Sequence, residues 1–126
     1  QGKDNSKVEP QEQKQITRIT TLGENSSIPK YIEKYFPELA GEIIDKAEAK
    51  GVGFRKVSLI VIDDEIQMYT RSTTLKSRVN DEEVVIQKGK VLLEEFLENF
   101  SGQIRRIGLR IADLKEIEDQ SRLGDF

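Results

Sequence analysis

Residues 55–76, RKVSLIVIDDEIQMYTRSTTLK, decide the fold. The run from Arg55 to Ile62 is the most hydrophobic of the chain and too short for a helix, so it reads as a buried strand. Asp63, Asp64 and Glu65 form a charged turn, and 66–76, IQMYTRSTTLK, reads as the partner strand of a hairpin. The same three carboxylates have a competing reading as a two-metal site. The strand-like alternation on both sides favours the turn.

Outward from this hairpin, helical periodicity appears on each side. Before it, Pro37 divides a helical region into a short turn over 28–35 and a main helix over 37–50. Ser27 is placed to cap the first, with Pro29 in its opening turn. Leu39, Ile43, Ile44 and Ala47 form the apolar stripe of the second, and Gly51 ends it. After the hairpin, Asn80 or Asp81 caps a helix that runs to about residue 100, with Val85, Gly89, Leu92, Phe96 and Phe100 at helical spacing. Further out, QITRITTL (15–22) and IRRIGLRIA (104–112) read as strands, separated from the neighbouring helices by GENSS and by Ser101-Gly102. The string is βαββαβ. Two amphipathic helices bury their stripes only by packing on one face of a four-stranded, mainly antiparallel sheet, so the class is α+β. Residues 1–14 read as a linker, 15–114 as the folded domain and 115–126 as a charged tail.

The chain of 126 residues contains no cysteine and no histidine. It therefore has no disulfides or thiolates, and it lacks the commonest general base and metal ligand. No apolar run is long enough to span a membrane, and the N-terminus does not read as a signal peptide, so the expectation is a cytoplasmic protein without a membrane partner. The formal net charge is −3, yet the charges are segregated. Glu33, Glu38, Glu42, Asp45, Glu48, Glu94, Glu95 and Glu98 lie on the helices, whereas the strands carry Arg and Thr.

Strand alternation assigns side chains to faces. Ile107, Leu109 and Ile111 are expected to face the helices, leaving Arg106, Gly108 and Arg110 on the uncovered side, where Gly108 would let another backbone come close. With Ile66 and Met68 taken as inward, Tyr69, Arg71 and Thr73 are expected outward. Arg18 and Thr20 are also assigned outward, although Ile16 shares their parity. Arg and hydroxyl side chains on a rigid sheet suit phosphate oxygens. The plainer alternative is a solvated sheet face that carries Arg and Thr for strand propensity.

Several segments resemble the little finger, the C-terminal domain of DinB-type Y-family translesion DNA polymerases. GQIRRIGLRIADL (102–114), following GKVLLEEFLENF (89–100), is similar to that family's last helix and strand. MYTRSTTL (68–75) resembles its third strand, and GKDNSKVEPQEQKQITR (2–18) the junction from its thumb. The resemblance implies a domain without catalytic residues that grips primer–template DNA during lesion bypass. It implies contacts from Arg18, Thr20, Arg71, Ser72, Thr73, Lys76, Arg78, Arg105, Arg106 and Arg110. The metal carboxylates of the family lie in the palm, so magnesium belongs to the parent polymerase and this domain is expected to bind no cofactor. VEPQEQKQ (8–15) carries less positive charge than the basic tether of many relatives.

The last residues, Gln120-Ser-Arg-Leu123-Gly-Asp-Phe126, resemble the sliding-clamp-binding peptide of archaeal and eukaryotic replication proteins. Gln120, Leu123 and Phe126 would then be the clamp contacts, and the pattern points to an archaeal source. The domain itself is expected to be monomeric. The competing functional class is a stand-alone α+β module that binds a protein or small ligand.

Overall fold

A computed structural model describes residues 15–117. The order is β1 (Gln15–Ser26), α1 (Pro29–Glu33), α2 (Phe36–Lys50), β2 (Val52–Asp63), β3 (Met68–Val79), α3 (Glu82–Glu98), β4 (Ile104–Ala112) and β5 (Lys115–Glu116). The long strands form an antiparallel sheet in the order β1-β4-β2-β3. The expected βαββαβ class stands, and β5 is an addition. It pairs with the start of β2 through Val52↔Glu116 and Gly53↔Lys115.

β2 lies inside the sheet and is buried from Val57 to Asp63, which accounts for its apolar run Leu59–Ile62. The core lies between the sheet and the helices. Val57, Leu59 and Val61 of β2 and Ile107, Leu109 and Ile111 of β4 meet Leu39, Ile43 and Ala47 of α2 and Val85, Leu93 and Phe96 of α3. Burying a single Leu or Ile of this kind contributes about 1.5–3 kcal/mol.

The helix ends follow local chemistry. Asp81 caps α3 by accepting the Glu83 N–H at 2.9 Å. Gly51 closes α2 at φ 68°, a left-handed conformation that costs glycine little. Ser27 is not the cap of α1. Ile28 occupies that position without a side-chain cap, and the Ser26 hydroxyl accepts the Ile28 N–H instead.

Departures from regular pairing shape the ends of the sheet. On β4, Ile62↔Arg106 is followed by Asp63↔Ile104, so Arg105 is an extra residue, a bulge. It explains why Ile104 and Ile107 are both buried although they are three residues apart. On β3, Thr74 pairs with Lys56 while Val79 pairs with Phe54, so residues 75–78 bulge from the edge. Arg78 is drawn back to the turn after β4. Its Nη1 donates to the Asp113 carbonyl, and its Nη2 lies 3.5 Å from Asp113 Oδ1. Residues 115–117, read from sequence as the start of the tail, are held on the domain by the β5 pairing. The Ile117 N–H bonds the Gly51 carbonyl at 3.0 Å, and the Ile117 side chain fills the space over Gly53.

Candidate nucleic-acid interface

Side chains paired across an antiparallel sheet share a face, so the registers assign each position. Leu109 faces the core, and its partners are Leu59 and Arg18. Leu59 in turn pairs with Arg71, and Val57 with Thr73. Arg18, Arg71 and Thr73 therefore stand on the helix side, as does Thr20 opposite Ile107. This reverses the expected outward assignment of Arg18, Thr20, Tyr69, Arg71 and Thr73.

The physical reason is position in the sheet. β1 and β3 are its edges, where the helices roof the inner face only partly. A polar inward residue can lay its stem on the core there and send its head to solvent. Arg71 stacks its guanidinium 5.2 Å from the Phe96 ring centre. Arg18 reaches α2, with Nε 3.3 Å from Glu42 Oε1. The apolar Ile66 and Met68, taken as inward from composition, are instead 67% and 61% exposed. Tyr69 occupies the inward site and packs on Phe96 and Phe100.

The opposite face carries no helix among the described residues. Its rows across β3, β2, β4 and β1 are Met68–Ile62–Arg106–Thr21, Thr70–Ile60–Gly108–Ile19, Ser72–Ser58–Arg110–Thr17 and Thr74–Lys56–Ala112–Gln15. None of these positions is Asp or Glu. Arg110 Nε donates to Thr17 Oγ1 at 3.2 Å, and the Ser58 and Ser72 hydroxyls are 2.8 Å apart. Ser58 and Ile60 are buried, and the charged groups of the face are Lys56, Arg106 and Arg110, with Arg105 exposed on the bulge beside them. Lys76 is exposed on the 75–78 bulge, while Arg78 is tied to Asp113. Gln120, Leu123 and Phe126 lie outside the described residues.

Among the expected side chains, the open face thus brings together Ser72, Arg106 and Arg110, with Arg105 at its end. Lys56, Thr17, Thr70 and Thr74 were missed. The signal for Lys56 was present in RKVSLIVI, because inward Val57, Leu59 and Val61 force Lys56 and Ser58 outward. Gly108 has a different role from the one expected. A Cβ there would lie 2.6 Å from Ile19 Cγ1 and 2.8 Å from the Arg18 carbonyl, so the glycine makes room for β1 rather than for a ligand.

The electrostatics are two-sided. Glu38, Glu42, Asp45 and Glu48 on α2 and Glu94, Glu95 and Glu98 on α3 are all exposed behind the sheet. Asp63 is buried in the hairpin turn. Its carboxylate accepts the Glu65 and Gln67 N–H groups at 2.9 Å and the Tyr69 hydroxyl at 3.1 Å. The Gln67 amide is the main cause that holds its pKa below the usual 3.8, and the same carboxylate raises that of Tyr69. The Asp63 oxygens are thus committed to the turn. Among the described residues, no three Asp or Glu side chains gather into a metal site, and no helix is long and apolar enough to cross a membrane.

Comparison with known proteins agrees with this architecture. Residues 13–125 match the family described as impB/mucB/samB family C-terminal domain. DNA polymerase IV 1 of Methanosarcina mazei is 38% identical over 112 residues, which is 89% of this chain and 31% of the relative. A post-insertion binary complex of Dbh DNA polymerase superposes with a TM-score of 0.74 at 21% identity, over 86% of this chain and 32% of that one. The little finger domain of PolIV, in complex with the beta-clamp processivity factor, gives 0.61 at 12% identity, over 89% and 96%. The chain spans about a third of the length of the polymerase relatives it matches. By sequence, it belongs to the impB/mucB/samB C-terminal domain family, and the solved structures it resembles share its fold.

Proposed function

We propose that the open sheet face holds the sugar–phosphate backbone of primer–template DNA, so that the parent polymerase grips its substrate during lesion bypass. One observation carries this reading. Lys56, Arg106 and Arg110 stand with Thr and Ser hydroxyls on paired positions that, among the described residues, include no carboxylate, while acidic side chains lie on the helices behind them. Guanidinium and ammonium groups on a rigid support give charge-assisted bonds to phosphate with little sequence readout. The contact set is therefore Lys56, Ser72, Arg105, Arg106 and Arg110. Arg18, Thr20, Arg71 and Thr73 act on the helix side, and Arg78 serves the turn at Asp113. Binding of the Dbh type of substrate, together with magnesium-dependent nucleotide transfer by the remainder of the parent chain, completes the assignment. Residues 1–14 act as the linker, and Gln120, Leu123 and Phe126 as a clamp-binding peptide of the kind that the PolIV little finger's partner invites.

Salt-titrated binding to primer–template DNA tests the face assignment. Each phosphate neutralised contributes about 0.9 to the slope of log K against log salt. A K56A/R106A/R110A triple variant is expected to lower that slope by about 2.7, while an R18A/R71A variant leaves it unchanged. Equal losses in the two variants would overturn the assignment.

A further inference from the structure

The open face ends, at the hairpin between β2 and β3, in a feature that backbone contacts do not use. Ile66 and Met68 are 67% and 61% exposed there. Ile66 is held at φ 66°, which is rare for a β-branched residue. The turn beneath it is rigidly built. The Asp63 carboxylate takes donors from Glu65, Gln67 and Tyr69. The Ile66 N–H bonds the Asp63 carbonyl at 3.0 Å, and the Asp64 N–H bonds the Gln103 carbonyl at 3.0 Å. That last bond ties the turn to the residue just before β4, so the apolar knob sits beside the bulge that presents Arg105. The register Met68–Ile62–Arg106 brings Arg106 into the same row.

We propose that this knob meets unstacked nucleobases, where single-stranded template continues from the duplex held on the open face. The proposal rests on the reading that this face binds DNA. Paired duplex offers the edge of the sheet mainly phosphate and sugar, for which Ile and Met have no use. An unpaired base exposes an apolar ring face, and Ile and Met are side chains that proteins place against unstacked base steps. Charge complementarity supplies the rest. Arg105 and Arg106 attract the backbone of the strand, whereas Asp64 and Glu65, exposed on the turn, repel phosphate from the knob and turn the bases toward it.

The test compares a blunt duplex with a primer–template of equal duplex length and a 5′ single-stranded template, using fluorescence anisotropy and a 2-aminopurine placed in the overhang. The wild-type chain is expected to bind the overhang DNA more tightly and to change the 2-aminopurine signal. An I66N/M68T variant, in which Asn suits the left-handed backbone, is expected to lose about five-fold in affinity for the overhang DNA. Its blunt-duplex affinity and its circular dichroism spectrum remain those of the wild type. The M68T variant alone carries the test if the double variant does not fold. Equal loss on both DNAs, or loss on neither, would overturn the proposal. A wild-type chain that binds neither DNA would overturn the DNA reading itself.

Discussion

Gly108 offers a sharp test of how the sheet is assembled, because its environment is crowded by backbone. In a Gly108→Ala variant the new Cβ would stand 2.6 Å from Ile19 Cγ1, 2.8 Å from the Arg18 carbonyl oxygen and 3.3 Å from Ile19 Cα. The Ile19 side chain can rotate away, but the carbonyl belongs to β1, which pairs with β4 on both sides of the contact. Restoring an ordinary separation of 3.4 Å requires β1 to move by about 0.6 Å against its hydrogen bonds. Overpacking of this kind costs about 1–3 kcal/mol. For a domain of this size that lowers Tm by roughly 5–20 °C. Urea denaturation followed by circular dichroism measures it, with the midpoint falling and the m value unchanged. An I19A/G108A double variant should recover only the side-chain part of the loss, because the carbonyl contact remains. A G108A variant within about 0.5 kcal/mol of wild type would refute the reasoning, since β1 would then yield where the registers say it cannot.

Two other changes are expected to behave differently. Gly41 lies inside α2, where a Cβ would meet nothing closer than Glu82 Oε2 at 3.8 Å. Gly41→Ala should therefore stabilise the fold by about 0.5–1 kcal/mol, read from the same urea transition. Asp63 supplies stability that depends on pH. Its folded pKa lies below the ordinary 3.8, chiefly through the Gln67 amide, so its contribution is full above that value and is lost as pH falls through the folded pKa. Asp63→Asn should be less stable than wild type at neutral pH, and the gap should close on acidification below pH 3.8. A gap that stays constant across that range would show that the carboxylate charge does not hold the turn.

Most of the fold was legible because β2 is buried from Val57 to Asp63, which leaves an apolar run, and because α2 and α3 each bury one face, which writes a helical period into the sequence. Faces were harder to read at the edges. In β4, flanked by β1 and β2, Ile107, Leu109 and Ile111 marked the inward side without ambiguity, and Arg106 and Arg110 followed. In β3, an edge strand, polarity and direction are uncoupled. Arg71 points inward because it can lie across Phe96 and still reach water, and Met68 points outward. The parity of β3 is legible only once its register against Leu59 is known, and no local pattern encodes a register. The bulge at Arg105 is hidden for the same reason, since two adjacent arginines look alike in an ordinary strand and in a bulged one. Ile16 did carry the correct parity for Arg18, and the competing appeal of Arg18 as a phosphate ligand outweighed it. Strand order was likewise invisible, because it is a property of long-range pairing.

The short strand β5 sets a limit on reach. Because Ile117 is fastened over Gly53, with its amide on Gly51, the peptide beyond it starts from a fixed post at the end of the sheet opposite the hairpin knob. Phe126 is the ninth residue after Ile117, and a fully extended chain of nine residues spans at most about 30 Å. A partner bound at Phe126 would thus be held within about that distance of Ile117. Cutting the post, by removing the β5 pairing, would lengthen that reach without touching a single residue of the peptide beyond it.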